Sequence, residues 1–116
     1  MTDGAVGSFA ALSVDEPYAG IRRRSFDAHG ATVTRYEFAP GARFPLHRHD
    51  QEQITLVEAG SLTMEIAGVP EQLSPGGWSV VPGGVEHGIV AGPEGARITA
   101  IVVPRRAAAD AYEVVA

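Results

Sequence analysis

Three histidines and one glutamine are the residues of this sequence whose types and spacing could bind a metal ion. His47 and His49 are separated by one residue, and in a β-strand residues i and i+2 point to the same face. Imidazoles on one face can bind a single ion at about 2.0–2.1 Å. Gln53 has the same strand parity and an amide oxygen, and His87 lies in a later segment rich in glycine and proline. Together the four residues predict a metal site.

The oxygen ligand has two candidates, Gln53 and its neighbour Glu52. Gln53 shares the parity of the histidines, and Glu52 has the opposite parity. A β-bulge at residues 50–51 would turn Glu52 inward instead. Both residues therefore remain candidates, with Gln53 favoured by the simple alternation.

The elements that must position these residues are short strands. Residues 62–66 alternate apolar and polar side chains, which is typical of a half-buried strand. Some eight to ten such segments, separated by glycine and proline turns, predict an all-β barrel or sandwich. We expect one domain over residues 1–116, with a barrel core at about 31–104 and a loose segment at 1–12. Residues 107–111 predict a short C-terminal helix or tail.

The first histidine segment resembles the first motif of the cupin superfamily. That motif is Gly, five residues, His-x-His, three or four residues, Glu, six residues and Gly. Here its positions are Gly41, His47, His49, Gln53 and Gly60. The spacing is kept throughout, and the one departure is glutamine in place of glutamate.

The second histidine segment resembles the second cupin motif. That motif is Gly, five residues, Pro-x-Gly, two residues, His, three residues and Asn. Here it reads Gly76, Pro82, Gly84 and His87, with Ala91 in place of the asparagine.

The resemblance implies a double-stranded β-helix, the jelly-roll cupin barrel. It also implies one divalent transition metal per chain (Zn, Ni, Fe, Mn or Cu), bound by His47, His49, Gln53 and His87. Small cupins act on small molecules and are often homodimers that exchange an N-terminal strand. Residues 8–26 are the candidate for that exchange.

Among cupins, the run from His47 to Gly60 is similar to small members that linearise unsaturated uronates, or that cyclise and dehydrate aromatic polyketides. The uronate group commonly has Asp and Phe four and two residues before a proline. Here these positions are Ala100 and Val102, before Pro104. We therefore expect an apolar pocket and a metal-dependent isomerisation, cyclisation or dehydration of a small oxygenated molecule.

Candidate residues around the metal are few. Glu52, Tyr36 and Glu86 are possible general acids or bases, and Glu52 and Tyr36 are the ones we predict to act. Arg43 shares parity with His47, and Arg97 begins the last predicted strand, so both could bind an anionic substrate. The alternative for either arginine is a solvated position at a barrel end.

Two other functions remain open. A metal-dependent dioxygenase of the quercetinase type would use the same ligands for redox chemistry. A neutral Gln53 makes a higher oxidation state of the ion less favourable, which favours non-redox chemistry. The third possibility is a non-catalytic cupin module that binds a small ligand.

Composition excludes several other classes. The formal net charge of −5 argues against a nucleic-acid partner. The sequence has no cysteine, so neither disulfides nor thiolate metal sites are possible. No apolar run is long enough for a membrane span, and no signal peptide is evident. From these observations we expect no membrane association and a cytoplasmic location.

Overall fold

The computed structural model of the chain describes residues 4–108 and 111–115, and nearly all regular structure in them is β. A short 3-10 helix at Phe9–Ala11 is the only helical turn among the described residues. The strands within these residues are β1 (Asp15–Tyr18), β2 (Ile21–Asp27), β3 (Thr32–Phe38), β4 (Arg43–Arg48), β5 (Glu52–Ile66), β6 (Val69–Leu73), β7 (Trp78–Val81), β8 (His87–Val103) and β9 (Glu113–Val114). The predicted all-β class is confirmed.

The strands form one strongly curved antiparallel sheet. Its main path runs β1-β2-β3-β8-β4-β9, and β5 pairs with β6, β7 and β8. The long strands β5 and β8 pair from Glu52 opposite Val103 to Ile66 opposite His87. Their register shifts between Val57 and Leu62, so each long strand bends and contributes to both halves of a jelly-roll barrel.

The bend in β5 depends on Gly60, the last position of the first motif. Gly60 has a φ of 73°, a left-handed conformation that glycine adopts without steric cost. A Cβ atom at this position would overlap the carbonyl oxygen of Gly95 in β8. The two long strands can therefore cross closely here only because residue 60 has no side chain.

Strand alternation fills the barrel interior. In β3, Thr32, Thr34, Tyr36 and Phe38 are buried, and the residues between them are more exposed. The opposite face of the sheet is exposed, and there the Trp78 ring is 66% exposed rather than part of the core. The inward positions are apolar at one end of the barrel and polar at the other.

The C-terminal segment differs from the predicted helix. Residues 107, 108 and 111 are not helical, and residues 109 and 110 lie outside the described part. Glu113–Val114 instead adds a strand, β9, beside β4. A five-residue alanine-rich run is too short to nucleate a helix by itself, and pairing with β4 determines the structure only of residues 113–114.

The N-terminal segment is partly held against the barrel. Residues 4–8 are exposed, while the Phe9 ring packs 5.8 Å from that of Phe26, with the Arg35 guanidinium 4.2 Å from its centre. Strand β1 pairs with β2 of the same chain, and the exchange of residues 8–26 between subunits stays a prediction. No helix in residues 4–108 or 111–115 is long and apolar enough to cross a membrane.

Candidate metal centre

The three motif histidines converge inside the polar end of the barrel. His47 lies near the end of β4, His49 just after it, and His87 begins β8. One ring nitrogen from each lies within 4.8 Å of the other two, and all three residues are buried. The His47 and His87 rings are the closest pair, with centroids 4.1 Å apart. The predicted convergence is confirmed.

Pairing between the two motif segments produces this convergence. His47 is directly opposite His87 in the β4–β8 ladder. In the turn before β8, the Gly84 amide donates a 2.8 Å hydrogen bond to the carbonyl oxygen of His49. Gly84 has a φ of 81°, which explains why the turn has glycine at this motif position.

Backbone carbonyls fix the tautomer of all three imidazoles. Each Nδ1 lies within hydrogen-bond distance of the carbonyl two residues earlier or later. A carbonyl can only accept, so each Nδ1 must carry the proton and donate it, leaving the Nε2 lone pair free for a ligand. The Nδ1–O distances are 2.8 Å from His47 to Pro45, 3.0 Å from His49 to Gln51, and 2.9 Å from His87 to Val85.

Burial keeps the imidazoles uncharged. Loss of hydration lowers the pKa of His47 to about 3 and that of His87 to about 4. The pKa of His49 is also lowered, with burial again the largest cause. Near neutral pH all three rings are therefore neutral, which is the form that binds metal ions.

Gln53 is turned toward the same point. It is buried, and its Oε1 lies 3.0 Å from Nε2 of His49. Its amide Nε2 donates a 3.0 Å hydrogen bond to Oγ1 of Thr55, a fully buried residue. This bond orients the amide so that the oxygen faces the histidines.

The donor set fits a cation. With the proton on Nδ1, the Nε2 of His49 and the Oε1 of Gln53 both present lone pairs to each other, which is unfavourable without a positive charge between them. Nε2 of His87 is buried and makes no hydrogen bond within the described residues, an arrangement that is costly for a polar atom. A divalent ion bound by these atoms would remove both penalties.

Glu52 and Tyr36, the predicted acid–base residues, lie away from these nitrogens. Glu52 is exposed and is paired with outward-facing Val103. The buried Tyr36 ring packs 5.9 Å from that of Phe44, which in turn lies 4.6 Å from the His47 ring. Tyr36 is therefore separated from the centre by one aromatic ring.

Glu86, the third acid–base candidate, also points away from the nitrogens. Its Oε1 lies 3.6 Å from Nη1 of Arg48 on the surface of the barrel.

The two predicted anion-binding arginines are not brought to the centre. Arg43 is exposed because the β4–β8 register shifts between Phe44 and His47, which places both of those residues inward and reverses the expected parity. Arg97 is also exposed, and its Nε lies 3.4 Å from Oε2 of Glu58.

Two residues near the centre were missed by the sequence analysis. The Tyr112 ring lies 5.1 Å from that of His47, and its hydroxyl is 3.0 Å from that of Tyr18. Arg106 is 8% exposed, and its positive charge contributes to the lowered pKa of all three histidines. Both residues follow the last long strand, outside the motifs, so no spacing rule indicated them.

Comparison with known proteins gives a family match and one curated relative. Residues 34–103 match the cupin domain model. A stretch of 61 residues, 53% of the chain, is 44% identical to the dimethylsulfoniopropionate lyase DddW of Ruegeria pomeroyi. The aligned stretch covers 40% of the length of that lyase.

Solved structures share the fold. An RmlC-like cupin from Shewanella frigidimarina superposes with a TM-score of 0.82 at 24% identity, covering 90% of this chain and 95% of that one. KdgF from Halomonas sp. has a TM-score of 0.78 at 27% identity, with 84% and 92% covered. An oxalate decarboxylase of Bacillus subtilis has a TM-score of 0.86 at 19% identity, covering 97% of this chain and 34% of that one.

Proposed function

The chain belongs to the cupin family, and from that premise we propose that it is a metal-dependent enzyme acting on a small oxygenated molecule. The observation that carries this proposal is the convergence of three buried imidazoles whose Nδ1 atoms are within hydrogen-bond distance of backbone carbonyls. His47, His49, His87 and Gln53 are the proposed ligands of one divalent transition metal. The chemistry such an ion supplies is polarisation of a substrate carbonyl or carboxylate oxygen.

The reaction class we propose is removal of a proton next to a carbonyl, followed by isomerisation, cyclisation or elimination. The similarity to a dimethylsulfoniopropionate lyase supports elimination within this class. That relative also acts on a small carboxylate, as its name states. Because the alignment covers less than half of the lyase, its substrate is not assigned to this chain.

Two small apolar side chains lie beside the proposed ligands. Ala100 and Val102 are both 2% exposed and face inward beside the centre, where Val102 is opposite Gln53 in the β5–β8 ladder. These small apolar groups offer the ion no competing ligand. Glu52 and Tyr36 stay the predicted acid–base residues from the sequence, and their distance from the histidines means that either would act through a movement or a bound water.

Metal content tests the proposal directly. We would measure it by elemental mass spectrometry on tag-free protein and on a His47→Ala/His87→Ala double variant. We expect about one ion per chain in the first and almost none in the second, because two of three imidazoles are removed. His29→Ala is the matched control, since His29 is an exposed turn residue and its loss should leave the metal content unchanged.

No bound metal after incubation with Zn, Ni, Fe, Mn and Cu salts would refute the metal-dependent enzyme and leave a ligand-binding module. If metal binds, the rate of substrate turnover measured with and without oxygen distinguishes the non-redox enzyme from the dioxygenase. We expect oxygen-independent turnover, whereas strict oxygen consumption would assign the chain to the quercetinase-type dioxygenases.

A further inference from the structure

The outward side of the sheet is apolar where β2, β3, β8, β5 and β7 lie side by side. One row of directly opposed residues crosses these strands through Phe26, Val33, Ile101, Ile54 and Val80. Leu56 and Trp78 belong to the row on one side of it, and Val103 to the row on the other. We call these residues together the outer apolar face. Five of its members are 41% to 66% exposed, namely Phe26, Leu56, Trp78, Val80 and Val103.

The two halves of β5 differ on their outward side. Before the bend at Gly60 the outward positions include Ile54 and Leu56, whereas after it Thr63 and Glu65 line a surface groove. A sheet with one side in water has polar residues on that side, and strands that are apolar on both sides are typical of sheets covered on both sides. The pattern therefore indicates a cover over the first half of β5 that the second half does not need.

The N-terminal segment covers one end of the outer apolar face. The Phe9 ring packs 5.8 Å from that of Phe26, and the Arg35 guanidinium lies 4.2 Å from the centre of the Phe9 ring. Strand β7 lies four strand spacings from β2, about 19 Å, and there Trp78 and Val80 are exposed. The described part of the N-terminal segment therefore leaves the larger part of the face open.

The area of the face fits contact with another protein chain. Five strands about 4.8 Å apart and three rows about 7 Å apart cover roughly 500 Å². Two such faces together bury about 1,000 Å², which is the lower bound for a specific protein–protein interface. Trp78 adds a side chain of the kind that contributes most to binding at such interfaces.

The charges beside the face favour a second copy of this chain as the occupant. The whole chain has a formal net charge of −5, so two copies repel each other over long distances. At the border of the face, however, Oε2 of Glu58 lies 3.0 Å from Nη2 of Arg35 and 3.4 Å from Nε of Arg97. Two copies that meet here therefore bring little uncompensated negative charge together.

We propose that the outer apolar face is the contact between two copies of this chain, related by a two-fold axis. In such a contact the same patch lies on both subunits and must be complementary to itself, as an apolar face is. Ile101 is at the middle of the central row and therefore lies close to the axis. The inference does not depend on metal binding and needs no exchange of residues 8–26.

Sedimentation equilibrium over a range of protein concentrations tests the inference. We expect wild type to be a dimer at micromolar concentration. Leu56→Glu places an unpaired carboxylate in the apolar contact, so the dissociation constant should rise about 30-fold or more. Leu56 is already partly exposed in the single chain, so this variant should stay folded. Val69→Glu is the matched control, since it adds the same charge at an exposed position outside the face and should dimerise like wild type.

Trp78 is the one tryptophan of the chain, so its fluorescence reports on the outer apolar face itself. Dilution of wild type through its dissociation constant should move the emission maximum to longer wavelength, because water reaches the indole when the two faces separate. The same dilution of Leu56→Glu should leave the emission unchanged at the longer wavelength.

A cysteine near the axis tests the geometry, and it also serves as the second variant should Leu56→Glu unfold. The chain has no cysteine of its own, so a single introduced thiol reacts alone. Two copies of Ile101→Cys should be joined by a short bismaleimide, whereas Val69→Cys should not be joined.

A wild type that stays monomeric at all concentrations would overturn the inference. Short-wavelength Trp78 emission from that monomer would show that the chain's own N-terminal segment covers the face, and long-wavelength emission that the face is open to a different partner. A dimer of unchanged affinity in folded Leu56→Glu, or one that does not cross-link through Ile101→Cys, would also overturn it, since the contact would then lie elsewhere.

Discussion

The two ends of the barrel interior are built by the same strands and differ in what they contain. The apolar end is packed with large side chains, among them Phe38, Leu62, Met64, Ile89 and Ile98. The polar end contains His47, His49, Gln53, Thr55 and His87. Strand β5 alone contributes the polar side chains Gln53 and Thr55 before its bend at Gly60 and the apolar side chains Leu62 and Met64 after it.

Because of this difference, we expect the apolar end to determine the stability of the fold and the polar end to determine metal binding. Burying a side chain such as Met64 stabilises the fold by about 1.5–3 kcal/mol, whereas each buried polar atom left without a partner costs about 1–3 kcal/mol. The apolar end therefore has to offset the cost of the polar end. Changes at the apolar end should lower the free energy of unfolding, and changes at the polar end should lower affinity for metal.

The largest expected effect is that of Met64→Ala at the apolar end. Met64 is completely buried, so its truncation leaves a cavity and should lower the free energy of unfolding by about 2–5 kcal/mol. Metal content per folded chain should stay unchanged. Urea denaturation of the protein, combined with metal analysis of the folded fraction, measures both.

Val69→Ala is the matched control for this variant, because Val69 is 56% exposed on β6 and its truncation should have little effect. Two outcomes would contradict the separation of stability from metal binding. One is a decrease of less than about 1 kcal/mol in the free energy of unfolding of Met64→Ala, and the other is a fall in the metal content of its folded fraction.

A smaller effect is expected from Thr55→Val at the polar end. The Thr55 hydroxyl accepts the hydrogen bond that orients the Gln53 amide, and valine has nearly the same shape without an acceptor. Loss of such an outer contact should weaken metal binding by about 10–100-fold. Competition with a chromogenic chelator measures the affinity.

Thr63→Val controls for the change from threonine to valine. Thr63 lies in the same strand and faces a groove on the opposite side of the sheet, so metal affinity should not change. Equal affinities in the two variants would mean that Gln53 does not depend on Thr55, or that Gln53 does not bind the ion.

The smallest effect is expected from Asp15→Asn at the edge of the polar end. The hydrogen bond from Arg23 is the largest cause that holds the pKa of the Asp15 carboxyl below its usual value of 3.8. A lowered pKa in the folded state contributes stability above the ordinary pKa, and this stability is lost as the pH falls through the folded-state pKa. Because Asp15 is 59% exposed, the effect at pH 7 should be below about 1 kcal/mol.

Melting curves of wild type and Asp15→Asn between pH 7 and pH 2 measure this contribution. The difference in melting temperature should shrink as the pH falls, since the wild-type carboxyl becomes protonated. Glu71→Gln, at an exposed position in β6, should show no such convergence. A difference in melting temperature that grows toward low pH would contradict the prediction that the ionised Asp15 carboxylate stabilises the fold.

Sequence analysis correctly predicted the orientation of residues that follow from a local pattern, such as strand alternation or a turn motif. His47 and His49 share parity, the turn from Pro82 to Gly84 carries its own conformational requirement, and Gln53 faces inward as simple alternation indicates. Strand parity predicted the wrong orientation for Arg43. The register of β4 against β8 shifts between Phe44 and His47, and the sequence contains no clear signal for that shift.

The residues that sequence reasoning missed are those placed by distant contacts. The backbone N–H of Arg106 is positioned by a hydrogen bond to the hydroxyl of Thr32, 74 residues earlier. Tyr112 is positioned by packing beside His47. The strand Glu113–Val114 follows the run 107–111, for which the alanine-rich sequence predicted a short helix or tail, and it forms because β4 offers a free edge. In each case the deciding partner lies far away in the sequence, where no periodicity connects the two segments.

The pairing of His47 with His87 also has a consequence for synthesis of the chain. The second motif histidine segment follows the first by 40 residues, so at roughly 5–20 residues per second a ribosome needs about 2–8 seconds to make the intervening stretch. Throughout that interval the growing chain exposes only the His-x-His half of the centre. Selection of the ion is therefore deferred until β8 has joined β4, and the metals available at that moment determine which one the barrel acquires.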